Sequence, residues 1–192
     1  MDLTGRARRW NRCGYVVLLI VGAAWHFLFD LSGQNVVVGA VTPVNESVWE
    51  HGKLLLFPIC LWWLLGMALI RPLRPSWPQG DVDVERRQAR WLLGACVAAL
   101  SALAVMFAGY YTLTGALGVH ALWLDLLIFA LSLAAGQSAG VRAFARGVRS
   151  RRTRIVAIAL LAAVLACSIV FTYWTPQLPI FYCPVTQTYG LP

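Results

Sequence analysis

Apolar residues in this chain are gathered into long runs rather than amphipathic stripes. Five stretches, residues 14–31, 54–70, 91–110, 119–137 and 155–173, are interrupted by few ionisable groups. A run of roughly 18 apolar residues is what a helix needs to cross a hydrocarbon core about 30 Å thick. Lipid offers the backbone no hydrogen bonds, so each run must satisfy its own amides as a helix. The ten-residue alternation of an outer-membrane barrel is absent. The pattern predicts an all-α integral membrane bundle of five transmembrane helices, built as a single polytopic domain over residues 1–192.

Between the runs, the polar segments read as connectors. The loop 71–90 carries Pro72, Pro75 and Pro78 and then Asp81, Asp83 and Glu85, a solvated, turn-rich link. Residues 33–43 are Gly- and Val-rich and lead into a segment that starts the second helix. Ser47 and Glu50 have capping-box spacing there, and Asn45 with Glu46 in the first turn is the competing start. Either start projects Glu46 and Glu50 near each other. The tail 175–192 is uncharged and proline-punctuated and cannot form a sixth span. It either folds over the mouth of the bundle as a lid or rests in the headgroups. No internal repeat suggests an inverted-repeat transporter.

Composition agrees with the pattern: 59% of the 192 residues are hydrophobic and 12% charged, against about 25% charged in a soluble domain. The net charge of +8 raises nucleic acid as a partner, but the placement of the cations argues for topology instead. Fifteen of the sixteen, all but Lys53, fall before the first run, between the second and third, or between the fourth and fifth. With five spans these segments share one side, and the positive-inside rule makes that side the cytoplasm. The N-terminus is then inside and the C-terminus outside, as expected in a bacterial cytoplasmic (inner) membrane. The six arginines of residues 141–154 lie against anionic lipid headgroups, and no nucleic acid is expected. A cleaved signal peptide ending near Gly22-Ala23-Ala24 is the competing reading of the N-terminus. The apolar run continuing through Phe27, Leu28, Phe29 and Leu31 favours a retained helix.

Five cysteines, Cys13, Cys60, Cys96, Cys167 and Cys183, include no C-x-x-C pair, which argues against a disulfide exchanger. Only Cys183 falls clearly in the outer compartment.

Candidate chemistry emerges once the topology is drawn. His26, Asp30, Glu46, Glu50, His51, His120 and Asp125 all fall in the outer half, with Lys53 as the one cation among them. His26 and Asp30 are four apart on one helical face, and Glu46, Glu50 and Lys53 follow at i, i+4, i+7. His120 and Asp125 open the fourth helix, turned about 140° from each other. Ionisable groups at membrane depth are costly and normally face the bundle interior. Three histidines with carboxylates are the ligand types of catalytic zinc, which takes three protein groups and a water. His26, Asp30, His51, His120 and Asp125 are therefore candidate ligands for zinc or another divalent metal. Glu50 or Glu46 is the candidate general base, and Tyr111, in Tyr110-Tyr-Thr-Leu-Thr-Gly115, a candidate oxyanion donor. The H-E-x-x-H zinc motif is absent.

The segment P-V-N-E-S-V-W-E-H-G-K at residues 43–53, with H-F-L-F-D at 26–30, Y-Y-T-L-T-G at 110–115 and the ending Y-G-L, resembles an uncharacterised family of small bacterial polytopic membrane proteins. The resemblance covers most of the chain. It implies a bacterial origin and a membrane location and supplies no reaction.

The leading expectation is a membrane-embedded, metal-dependent hydrolase acting on lipid-linked or amphipathic substrates in the extracytoplasmic half of the bilayer. Cation or proton handling for transport is the second reading, and the lack of ionisable residues in the inner halves of the helices tells against it. A noncatalytic membrane binding or scaffold module is the third.

Overall fold

The computed structural model describes residues 3–70, 81–119, 121–148 and 150–191, with the side chains of residues 81–83 outside that description. Helix α1 is Leu3–Trp25, followed by two single turns, α2 at Leu28–Leu31 and α3 at Val36–Gly39. A short α4, Val48–His51, runs through Gly52 into α5, Lys53–Leu69. Then come α6, Asp81–Tyr110, continued by a π-helical turn at Tyr111–Ala116, α7, Leu122–Arg146, and α8, Arg151–Tyr173. The tail forms a 3-10 turn at Pro179–Phe181 and a small antiparallel hairpin of β1, Tyr182–Cys183, and β2, Thr188–Tyr189.

Among the described residues, four helices are long and apolar enough to cross a membrane: Val48–Leu69, Val84–Ala116, Leu122–Arg146 and Arg151–Tyr173. The first helix differs from the expected fifth span for a physical reason. It starts eleven residues earlier than the apolar run, with Arg6, Arg8, Arg9 and Arg12 inside it, and it stops at Trp25. Only its second half is apolar, and the twelve residues 14–25 make a helix shorter than about 20 Å. The stop also corrects the pairing of His26 with Asp30, because the chain leaves the helix before His26 and the four-residue spacing no longer sets a common face.

The core runs between the long helices. Trp63 of α5, Trp91 of α6 and Phe144 of α7 are buried against one another, and Trp63 Nε1 donates to Gln137 Oε1 at 3.0 Å. Ala98, Ala99 and Ala102 of α6 are fully buried opposite Gly136 and Gly140 of α7. Small residues at this seam let the two backbones approach closely, the usual packing mode where lipid removes the hydrophobic drive. On the outside, Ile20, Leu61, Leu65, Leu126, Leu131 and Ile155 are exposed. Such a belt would aggregate in water and is compatible with contact to bilayer lipid.

The bundle has two chemically distinct ends. At one, Arg90 Nη2 donates to Thr4 Oγ1 at 2.9 Å and Arg154 pairs with Glu85 at 2.6 Å, so the starts of α1 and α8 lie beside the arginine-rich half of α6. At the other lie the end of α1, the segment before α5, the end of α8 and the tail hairpin.

A candidate metal centre at the histidine end

Residues 43–51 fold into a short capped turn that hands its two glutamates to different partners. Ser47 is the N-cap of α4, and its Oγ accepts from Glu50 N at 3.3 Å. The amide of Ser47 donates to Asn45 Oδ1 at 2.9 Å. The Ser47 half of the capping box is thus present, but Asn45 takes the place of the glutamate that would close it. Glu46 stays outside the helix and half exposed, while Glu50, one turn on, points inward.

Glu50 is 3% exposed and Lys53 not exposed at all. Lys53 Nζ lies 2.6 Å from Glu50 Oε2, 2.7 Å from Gly39 O, 3.1 Å from Thr42 O and 2.7 Å from Thr172 Oγ1. Three ammonium protons are shared among four acceptors. Glu50 Oε2 also accepts from Val44 N at 3.1 Å. The pair ties α5 to α8 and to the loop 39–44. A carboxylate this enclosed and this well bonded is a structural anion, and the base role expected for Glu50 has no open side on which to act.

Glu46 instead meets two histidines. Its Oε1 lies 3.4 Å from His26 Nε2, and its Oε2 lies 3.3 Å from His51 Nε2. The imidazoles are 5.3 Å apart by centroid. Hydrogen bonds from His26 and then from His51 hold the Glu46 carboxyl well below its ordinary value of 4.5. The three groups each offer one ligand atom within 4.8 Å of the others, so His26, Glu46 and His51 could hold a metal ion. Two ligands at a Zn distance of about 2.0–2.1 Å, at a tetrahedral angle, stand about 3.3–3.4 Å apart. Each histidine–carboxylate separation has that length, His26 to Oε1 and His51 to Oε2, so the two rings meet different oxygens of Glu46.

The other ring nitrogen of His51 sharpens this. Nδ1 lies 2.9 Å from the carbonyl oxygen of Ser47. A carbonyl only accepts, so Nδ1 carries a proton, and Nε2 either donates to Glu46 as part of an imidazolium or, in a neutral ring, faces it with a bare lone pair. A lone pair facing a carboxylate at 3.3 Å repels unless a cation, either a metal or a second proton, lies between them. An Nδ1–H held by a backbone carbonyl is also the outer-shell arrangement that orients metal-ligating histidines.

Of the expected ligands, the structure brings His26 and His51 together and adds Glu46, which the sequence placed among the bases. Asp30 is exposed on α2 and Asp125 exposed on α7, and neither belongs to the cluster. Tyr111 begins the π-helical turn with its ring edge-on to Tyr110 at 5.7 Å, and it is 39% exposed. His120 lies outside the described residues. One contributor escaped the sequence reading, Thr172. Nothing marks the Thr172 hydroxyl 119 residues from Lys53 as its partner.

The tail covers this end. Asn45 Nδ2 donates to Gly190 O at 2.6 Å, and Phe181 is buried with its ring 5.0 Å from Trp49 and 5.5 Å from Phe171. Cys183, a free buried thiol, sits under the backbone of Glu46.

A helical, membrane-compatible bundle with a two-histidine, one-carboxylate cluster at one end defines the class of protein. The chain belongs to the family of unknown function DUF6512, whose model matches residues 2–191, nearly its whole length. No curated protein and no solved structure matches it.

Proposed function

We propose that this is a five-span protein of the bacterial cytoplasmic membrane, N-terminus inside and C-terminus outside. It binds zinc or a similar divalent metal at His26, Glu46 and His51 and uses it to hydrolyse a lipid-linked or amphipathic substrate at the extracytoplasmic face. The observation that carries this reading is the His51 ring, whose Nδ1–H is committed to Ser47 O while its Nε2 faces Glu46.

Three further features support it. Two histidines and one carboxylate make the three-ligand set of catalytic zinc sites, which keep a position for water, whereas structural sites close with four protein ligands. The bound metal would lower the pKa of that water and polarise the scissile bond. Phe27, Leu31, Leu117, Leu122 and Trp174 are exposed around this end, 59–79% each, which suits a substrate arriving from the bilayer. The orientation follows from the arginines clustering at the opposite end.

A second reading shares the same contacts. With a proton rather than a metal on His51 Nε2, the cluster is a histidine–carboxylate network serving a noncatalytic module or proton handling. Metal analysis by mass spectrometry decides between them, on protein purified in detergent without chelator or histidine tag. Near-stoichiometric metal that disappears in the His26→Ala, His51→Ala variant is expected. Metal-free wild type that takes up none on adding zinc sinks the metal reading and selects the network.

A further inference from the structure

The turn that carries Glu46 is tied to the tail. The Glu46 side chain is 44% exposed, so packing does not hold its carboxylate in place, and its position depends on the backbone of residues 44–47. Val44 N is held by Glu50 Oε2 at 3.1 Å, and Ser47 is fixed as the N-cap of α4. Asn45 supplies the third tie, and its side chain works in two directions. Its Oδ1 accepts from Ser47 N at 2.9 Å, which closes an Asx turn around Glu46, and its Nδ2 donates to Gly190 O at 2.6 Å, 145 residues away. The tail is shaped to deliver that carbonyl. Its hairpin pairs Tyr182 with Tyr189 and Cys183 with Thr188, and Phe181, 4% exposed, seats it against Trp49 of α4. Gly190 has φ +78°, and a Cβ there would lie 2.6 Å from Thr175 Oγ1. Glycine lets the chain close back at this point onto the residues that follow α8.

We propose that Asn45 is a positioning residue of the metal centre and that the tail acts through it as a strap. Docking of residues 181–190 sets Glu46 against His26 and His51, and metal binding in turn holds the tail down. The inference rests on the metal reading of the cluster and assigns its regulation. A metal site requires ligand distances within about 0.2 Å of the ideal, and a carboxylate on a short exposed turn keeps them only if its support is rigid. Ser47 links the two ligands to that support. Its amide is held by Asn45 and its carbonyl accepts from His51 Nδ1 at 2.9 Å, so displacing the Asn45 side chain disturbs the Glu46 backbone and the His51 ring together. Coupling between docking and binding is reciprocal: whatever factor docking adds to metal affinity, the bound metal adds to docking. A tail that only stabilised the fold would show no such reciprocity.

The test reads both directions of the coupling on the full-length protein in detergent: zinc affinity by competition with an indicator, and hydrogen exchange of residues 181–190 by mass spectrometry with and without zinc. Two variants cut the Asn45–Gly190 bond from opposite sides. Asn45→Asp keeps the oxygen that Ser47 N needs and loses the donor, while Gly190→Ala pushes the acceptor away through its Cβ. The charge added by Asn45→Asp would by itself strengthen cation binding, so weaker binding reports position. Couplings between sites commonly amount to about 5–150-fold, so each variant should bind zinc at least about fivefold more weakly, and saturating zinc should slow tail exchange in wild type by at least about the same factor. Zinc should leave tail exchange unchanged in the His26→Ala, His51→Ala variant. Val185→Ser, at a tail position 73% exposed, should bind zinc within about twofold of wild type. Wild type that takes up no zinc overturns the metal reading and the strap with it. Zinc binding that both variants leave within about twofold, or tail exchange that zinc does not slow, overturns the strap alone and leaves the metal centre standing. Asn45→Asp, which introduces no Cβ contact, decides the matter should Gly190→Ala fail to fold.

Discussion

His51 is held at both ring nitrogens, and that double constraint makes the candidate centre testable one side chain at a time. Changing an outer-shell partner of a metal ligand typically costs about 10–100-fold in affinity. Glu46→Gln, which removes a ligand charge outright, should cost at least as much, measured by competition with a zinc indicator. The pH dependence separates the carboxylate from the imidazoles. Because the Glu46 carboxyl lies below its ordinary 4.5, its contribution is fully present above pH 4.5 and is lost only as pH falls through the lowered value. Loss of metal between pH 7 and pH 5 must then come from the histidines, which bind only when neutral. Zinc affinity should fall across that interval in wild type and equally steeply in Glu46→Gln. A slope that flattens in the variant would place the titrating group on Glu46 instead. Three of these residues were legible as site candidates in the sequence because charge at membrane depth is costly enough to need a reason. Their roles were not legible. Glu46 and Glu50 have the same chemistry four positions apart, and only the N-cap at Ser47, with Lys53 waiting inside, sends one to the histidines and the other to the core.

The Glu50–Lys53 pair belongs to a helix start that also fixes the approach to the site. Glu50 holds Val44 N and Lys53 holds Gly39 O and Thr42 O, so the loop that ends at Glu46 hangs from one buried ion pair. Removing one member of such a pair leaves an uncompensated charge and costs about 3–5 kcal/mol. Lys53→Met should therefore destabilise the protein by about that amount in chemical unfolding in detergent. Adding Glu50→Gln should recover part of it, and a double variant worse than the single would show that the charge itself is not the issue. The α6–α7 seam makes a second claim. A Cβ on Gly136 would lie 2.6 Å from Ala98 O, and one on Gly140 would lie 2.7 Å from both Gly94 O and Ala98 Cβ. Backbone atoms cannot give way there as a side-chain tip can, so Gly140→Val should cost at least about 1–3 kcal/mol, whereas Gly118→Ala, with nothing within 4 Å of its Cβ, should cost only backbone strain at φ +66°. Helix existence was readable from apolar run length for α5 to α8. Helix ends were not, because α1 and α6 extend through arginines whose aliphatic stems and long reach let a charged segment remain helical.

Topology joins the two ends into one argument. Among the described residues, nearly every cation gathers at the end where α1, α6, α7 and α8 expose guanidiniums, and the histidine–carboxylate centre sits at the other. Whether α1 crosses the membrane decides how the N-terminus is placed. Its apolar half spans less than about 20 Å, short of a core of about 30 Å, but arginine stems can snorkel and bundle packing against α5 and α7 offsets part of the mismatch. The buried Leu18 and the Trp10–Trp62 stack at 4.2 Å bind α1 to the bundle along its length, which a helix lying flat on the surface would not require. A spanning α1 places the two termini on opposite sides. A reporter enzyme active only outside the cytoplasm should be silent when fused to the N-terminus and active when fused after Pro192. Activity at both termini would mean that α1 does not cross. The arginines at its start would then share the histidine side of the bilayer, against the charge asymmetry of the remaining loops. That conflict is the physical reason to expect five spans from a chain in which four helices meet the simple criterion of length and hydropathy.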